Sequence, residues 1–160
     1  YFFEDNFSLE VIKENTEYYE PLTVHESSLS PSVHSILFSK INNHKKAYEM
    51  YLRTARLDLD DYNHEVHEGL HITSMAGTWL SVIEGFAGVR INEKELKFKA
   101  ILPKEWRSYC FNIVYKNQRV KFDIKKENSV LTNYGDKSIR ISTDSNDYKL
   151  EPNSQITIVC

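Results

Sequence analysis

The sequence predicts an α+β chain with a helical half, residues 1–88, followed by an antiparallel β-sandwich half, residues 89–160. Three observations carry this. Apolar residues recur at helical spacing before Gly88, the period falls to two after it, and the later segments are short and closely spaced. Close-set short strands favour two packed antiparallel layers.

The clearest helix signal is Ile72, Met75, Ala76, Trp79, Leu80, Ile83, Phe86, Ala87, which follows i, i+3, i+4, i+7 and predicts one helix with that face buried. Val33, Ile36 and Leu37 repeat the pattern after Ser30-Pro31, where Ser can cap and Pro can take the first helical position. Ala47, Met50, Tyr51 and Ala55 give a third helix, and Phe7 to Tyr19 a fourth, stopped by Pro21. Beyond Gly88, alternation marks strands at Leu96, Phe98, Ala100, Leu102, at Tyr109, Phe111, Ile113, Tyr115, and at Val120, Phe122, Ile124. Asn117-Gln118 is expected to turn one hairpin and Tyr134-Gly135-Asp136 another, with Ile139-Ile141 and Ile156-Ile158 as further strands. The chain opens on Tyr1-Phe2-Phe3 without a capping residue, as though a helix were cut in its middle. The expectation is a piece of something longer, whose early helices pack on upstream ones.

Composition narrows the function classes. A hydrophobic fraction of 41% with 27% charged residues describes a globular chain. The net charge of −3 argues against nucleic acid. Apolar runs of a few residues fall well short of the roughly 20 that span a bilayer. Cys110 and Cys160 are too few for a disulfide framework and suit a reducing cytosol, hence a cytoplasmic protein.

Two loops of the helical half are chemically unusual. Thr23-Val24-His25-Glu26-Ser27-Ser28-Leu29-Ser30-Pro31 sets a carboxylate beside two hydroxyls just before a helix. Composition alone favours reading it as a helix start with capping serines. Asn63-His64-Glu65-Val66-His67-Glu68-Gly69-Leu70-His71-Ile72-Thr73-Ser74 leads into the strongest helix. Free N–H groups and the positive end of the helix dipole make that position suited to an anion. His71, Thr73 and Ser74 add side-chain donors, and Gly69 permits close backbone approach. A metal is the competing ligand, because His64, His67 and His71 lie among Glu65 and Glu68. The spacing is not His-Glu-x-x-His, however, and Gly69 interrupts a continuous helix, so no metal site is expected.

The two loops, the second extended through Met75-Ala76-Gly77-Thr78-Trp79, resemble characteristic stretches of the inverting α-glucoside phosphorylases of glycoside hydrolase family 65. Phe86-Ala87-Gly88-Val89-Arg90, Leu96-Lys97-Phe98 and Leu102-Pro103 continue the resemblance, which is good to about Ile124. It implies that residues 1–88 are the last helices of an (α/α)6 catalytic barrel and residues 89–160 a C-terminal β-sandwich. The implied reaction is attack of inorganic phosphate on an α-linked, maltose-type disaccharide with inversion, giving β-glucose 1-phosphate and free sugar. By motif match Ser27, Ser28, His71 and Ser74 bind phosphate and Glu26 faces the sugar; Glu26 also reads as a surface or capping carboxylate. The family's general acid Glu and a Lys-Gln-Ala-Asp-Val stretch lie upstream, so no catalytic acid is expected here. The implied partners are disaccharide, phosphate and the upstream barrel, with no cofactor, no nucleic acid and no membrane. A homodimer is common in the family, with no interface legible in these residues. A related hydrolase such as an acid trehalase, using Glu26 to activate water, stays open, as does a non-catalytic carbohydrate-binding module.

Overall fold

A computed structural model describes Tyr1 and residues 3–159. Phe2 and Cys160, named above in the opening aromatic run and the cysteine pair, lie outside the described residues. The chain divides into two compact units, Tyr1–Gly85 and Phe86–Cys160.

Among the described residues the first unit holds α1 (Leu9–Tyr19), α2 (Ser30–Lys40), α3 (His44–Ala55) and α4 (Ile72–Leu80). Helix α1 starts two residues later than the pattern suggests, because the Ser8 hydroxyl accepts the Val11 N–H at 3.4 Å and fixes the first turn. Pro21 ends it in a short 3₁₀ turn, Glu20–Leu22. Helix α2 carries Pro31 in its first turn, but its N-cap position is Leu29, which has no side-chain cap. Ser30, expected to cap, lies inside the helix with its hydroxyl 2.8 Å from His25 Nδ1. Helix α3 is capped by Asn43, whose side-chain Oδ1 accepts from Lys46 N–H at 3.2 Å.

Helix α4 departs most from expectation. The continuous four-turn helix with an apolar buried face is instead an α-helix to Leu80 followed by a π-helical stretch, Ser81–Phe86. Ile72, Met75 and Trp79 are exposed, while Ser74, Gly77 and Ser81 are buried. The reason is close approach to α2. A Cβ on Gly77 would stand 2.6 Å from Ser32 Oγ and 2.7 Å from Ser32 Cβ, and one on Gly85 would stand 3.3 Å from Ser39 Oγ. Small residues on both helices let the backbones approach within the reach of hydroxyls. Those hydroxyls are satisfied internally: Ser35 donates to Ala47 O at 2.8 Å, Ser39 to Ser35 O at 2.9 Å and Ser81 to Gly77 O at 2.9 Å. From Ser74 to Ser81 the buried face is made of Ser and Gly, whereas Ile83, Phe86 and Ala87, at the end of the apolar pattern, are buried as expected.

The second unit contains two four-stranded sheets. One has the order β1 (Arg90–Ile91), β2 (Leu96–Lys97), β6 (Ile139–Ser142), β7 (Asp147–Leu150). The other has the order β3 (Ser108–Tyr115), β4 (Gln118–Lys125), β5 (Asn128–Asn133), β8 (Ser154–Val159). Every pairing is antiparallel except β2 with β6, which is parallel. The β3–β4 hairpin turns on Lys116-Asn117, one residue earlier than expected, with φ of 50° and 61°. Two positive φ values give the twist a two-residue hairpin needs. Tyr134-Gly135-Asp136 is not a hairpin turn, because β5 and β6 belong to different sheets and the segment crosses between them. The crossover is held by the buried side chain of Asn133, which accepts from Gly135 N–H at 2.9 Å and donates to Lys137 O at 2.8 Å.

Inward residues of the two sheets share a core of Leu96, Phe98, Val120, Phe122, Ile124, Leu131, Ile139, Ile141 and Leu150. Phe122 stacks on Phe111 with ring centres 4.8 Å apart and meets Phe98 at 5.3 Å. The alternation along β3 and β4 thus runs as its period demands. The expected long strand from Leu96 to Leu102 is paired only over Leu96–Lys97.

Candidate functional site

The two unusual loops meet on the helical unit. The loop before α2 is anchored at its base by His25, which is buried and held at φ 59°. Arg53 of α3 donates from Nη2 to the His25 carbonyl at 3.1 Å, and its guanidinium lies 4.6 Å from the centre of the Tyr62 ring. The His25 ring packs edge-on against His34 at 4.6 Å. Burial first, then the electrostatic effect of the neighbouring His34, Arg53 and Lys46, holds the His25 pKa below the usual histidine value against the opposing pull of Glu20. Among the described residues neither His25 Nε2 nor Arg53 Nε has a hydrogen-bond partner.

From this anchor Glu26, Ser27 and Ser28 run outward. The Glu26 carboxylate is exposed, and its backbone carbonyl accepts from Asn63 Nδ2 at 3.1 Å. Ser27 is exposed and its hydroxyl accepts from Leu29 N–H at 3.3 Å. Ser28 Oγ lies 2.6 Å from Thr73 Oγ1, a contact between residues 45 positions apart. That pair joins the first loop directly to the first turn of α4.

The second loop ends on His71, the N-cap position of α4. Asp58 grips this residue twice: Oδ2 accepts the His71 backbone N–H at 3.0 Å and Oδ1 lies 2.6 Å from Nδ1. The far ring nitrogen, Nε2, stands 3.5 Å from Glu65 Oε2. The hydrogen bond to Asp58 raises the His71 pKa, with the charges of Asp58, Glu65 and Glu68 adding to it and burial opposing. The same two bonds lower the Asp58 pKa. Such a hold favours the charged form of the imidazole, whose Nε2–H can donate to an anion.

Ser74 stands apart. It is buried, donates to Thr54 O at 2.7 Å and lies 3.0 Å from Thr54 Oγ1, so its hydroxyl seats α4 on α3. Its backbone N–H donates to His71 O at 2.9 Å, and Ile72 N–H to Leu70 O at 3.1 Å. Among the described residues no backbone carbonyl accepts from Thr73 N–H, which leaves that first-turn donor and the Thr73 hydroxyl beside Ser28. Gly69, at φ 118° and with nothing within 4 Å of a built Cβ, permits the sharp approach into the helix. His64 and His67 are exposed, with side chains 90% and 76% accessible.

The arrangement therefore gathers Ser28, Thr73 and His71, with Ser27 and Glu26 adjacent on the loop. Asp58, Thr54 and Arg53 do not emerge from the sequence, and Asn63 emerges only as the start of the second loop, without its contact to the first. Asp58 sits 13 residues before His71 in an acidic run, Asp58, Asp60 and Asp61, that composition reads as solvated. No spacing rule links it to the helix start.

A helix start that combines hydroxyls, a first-turn N–H and a carboxylate-bound imidazole is of the class chemically suited to an anion. Known proteins give that class its family. The glycosyl hydrolase family 65 central catalytic domain matches residues 1–80, and the glycosyl hydrolase family 65 C-terminal domain matches residues 89–158. The chain belongs to glycosyl hydrolase family 65. It is 54% identical over 127 residues to a maltose phosphorylase of Bacillus subtilis (strain 168), covering 79% of this chain and 17% of that protein. It is 48% identical over 126 residues to an α,α-trehalose phosphorylase of Thermoanaerobacter brockii, covering 79% of this chain and 16% of that one. A solved structure assigned as a kojibiose phosphorylase from the human microbiome superposes with a TM-score of 0.90 at 37% identity, over 98% of this chain and 20% of its own. The chain thus spans about a sixth of the length of these curated relatives. No helix among the described residues is long and apolar enough to cross a membrane.

Proposed function

We propose that this chain is the phosphate-binding part of a cytoplasmic disaccharide phosphorylase. In this reading the helical unit completes an (α/α)6 barrel, the second unit is a C-terminal β-sandwich, and the substrate is an α-linked, maltose-type disaccharide. The observation that carries it is the junction of the two loops at the start of α4, where Ser28 meets Thr73 beside His71 and its partner Asp58. The maltose, trehalose and kojibiose phosphorylase relatives support the same reaction class without choosing the linkage.

Phosphate rests against the Ser27 and Ser28 hydroxyls, the Thr73 N–H and the His71 imidazolium, with Ser74 fixing the helix behind them. Held there, it attacks the anomeric carbon from the face opposite the departing sugar. The new C–O bond to phosphate forms as the glycosidic C–O bond breaks, and the leaving oxygen takes the proton of a carboxylic acid supplied by residues outside this chain. Inversion converts the α-linkage to β-glucose 1-phosphate and frees the second sugar. Phosphate thereby takes the place of the activated water of an inverting hydrolase. Glu26, with its exposed carboxylate, accepts hydrogen bonds from the sugar.

The test is His71→Ala in the complete enzyme, with phosphate varied at fixed disaccharide. Loss of a charge-assisted hydrogen bond predicts a rise in phosphate KM or a fall in phosphorolysis of roughly 10- to 150-fold, with disaccharide KM little changed. Unchanged phosphate dependence with a lowered melting temperature removes His71 from the site. Turnover that proceeds equally without phosphate assigns the site to hydrolysis instead.

A further inference from the structure

We infer that Asp58 is a positioning residue for the reaction, orienting His71 so that Nε2 faces the phosphate position, and that Glu65 is the carboxylate phosphate displaces from that nitrogen. The inference rests on the reading of His71 as a phosphate ligand, adds Asp58 from outside both loops, and gives a role to Glu65, which the second loop offered only as a neighbour of its histidines.

The geometry of Asp58 is specific. Both of its oxygens serve one residue, Oδ2 at 3.0 Å from the His71 N–H and Oδ1 at 2.6 Å from Nδ1. One bond sets where the backbone enters α4, and the other sets the ring plane and places the donated proton on Nδ1. An imidazole whose Nδ1 is engaged presents Nε2 on the opposite side, and the carboxylate favours the ring's charged form. The Asp58 side chain is only 13% accessible, so this hold is shielded from solvent.

Glu65 occupies the other side of the ring on much weaker terms. Its Oε2 is 3.5 Å from Nε2 and 3.3 Å from Asn63 Nδ2, both long contacts, and its side chain is 40% accessible. A carboxylate so loosely held gives up its place to a dianion that also reaches the Thr73 N–H and the Ser28 hydroxyl. Asn63 accompanies the exchange, because the amide nitrogen that touches Glu65 also donates to the Glu26 carbonyl at 3.1 Å. The charged groups acting on the His71 ring are Asp58, Glu65 and Glu68, all acidic. Phosphate binding therefore depends on the imidazolium and weakens as pH rises through the His71 pKa.

Three variants of the complete enzyme test the inference: Asp58→Asn, Glu65→Gln and Asp58→Asn combined with His71→Ala. Asp58→Asn is expected to raise phosphate KM by roughly tenfold at neutral pH. It also moves the alkaline limb of the phosphate kcat/KM profile to lower pH and leaves disaccharide KM unchanged. Glu65→Gln is expected to lower phosphate KM about threefold, as removal of a weak competing ion pair should. The double variant should be no worse than His71→Ala alone, because Asp58 acts through the ring. An Asp58→Asn enzyme with lowered melting temperature but an unmoved pH profile, additivity with His71→Ala, or a Glu65→Gln enzyme with weaker phosphate binding each overturns the inference. Should Asp58→Asn fail to fold, Glu65→Gln on the exposed side still decides. If His71→Ala itself leaves phosphate dependence intact, the phosphate reading of the site falls instead.

Discussion

Gly77→Ala tests whether the fit between α2 and α4 governs the site. The new Cβ would lie 2.7 Å from Ser32 Cβ and 2.6 Å from Ser32 Oγ. Rotating the hydroxyl relieves only the second contact and sacrifices its bond to Leu29 O at 2.8 Å. The first requires the helices to part by about 0.7 Å to reach an ordinary approach of about 3.4 Å. Overpacking of this kind costs about 1–3 kcal/mol, while replacing a helical Gly by Ala recovers about 1 kcal/mol, so the net loss is about 0–2 kcal/mol. The displacement also reaches the site. Thr73 lies one turn before Gly77, and opening its 2.6 Å contact with Ser28 by a similar amount leaves a bond near the limit of hydrogen-bonding distance. The assay is a melting curve with phosphate-dependent kinetics on the complete enzyme, alongside a Ser32→Gly, Gly77→Ala double variant that restores the space. Lowered stability and raised phosphate KM in the single variant, both recovered in the double, are expected. A Gly77→Ala enzyme as stable as wild type, with the same phosphate KM, would refute the close-packing argument.

Three further outcomes follow from the structure. His25 is buried with its pKa depressed, so below about pH 6.5 the unfolded chain takes up a proton that the folded chain resists and stability falls with pH until the folded value is passed; above that range its contribution is complete. Melting temperatures between pH 7.5 and 5 should fall more steeply for wild type than for His25→Asn, a residue that tolerates φ 59°, and parallel curves would exclude this source of acid sensitivity. Glu26→Gln should depress phosphorolysis roughly 10- to 100-fold with phosphate KM unchanged, and wild-type activity would return Glu26 to a surface role. Phe122→Ala, at a fully buried ring stacked on Phe111, should cost about 3–5 kcal/mol by denaturant unfolding, and a loss under about 1 kcal/mol would mean that this core is not as packed as it looks.

Much of the β half is legible because a strand's period of two is enforced by its geometry. Tyr109, Phe111, Ile113 and Tyr115 share a face whatever surrounds them. Its connections are less legible. Lys116-Asn117 and Asn117-Gln118 are equally polar, and only the φ values distinguish which pair turns. Tyr134-Gly135-Asp136 carries a turn composition that serves a crossover as well as a hairpin. In the helical half, Ile72, Met75 and Trp79 announce a buried face, yet they are exposed, and it is Ser74 that meets α3 and Gly77 that meets α2. Of the candidate site, Ser27, Ser28 and His71 could be named from two contiguous motifs. Asp58, Thr54 and the contact made by Asn63 could not, because each depends on tertiary packing and not on spacing along the chain.

These unread residues explain how two exposed loops can hold a constant geometry. A loop rich in Ser, Asn and Glu has many conformers, and fixing each of its residues costs about 1–2 kcal/mol of backbone entropy. Here the fixing groups come from helices: Arg53 of α3 holds the His25 carbonyl, and Thr54, the next residue, holds Ser74 of α4. One turn of α3 thus ties the base of the first loop and the start of α4 to a common frame. Asp58, three residues beyond the end of α3, extends that frame to His71. The side chains of the two loops can therefore stay open to solvent while their backbones are held from behind. On the phosphate reading proposed above, that opening gives the ligand access and α3 keeps the donors in register.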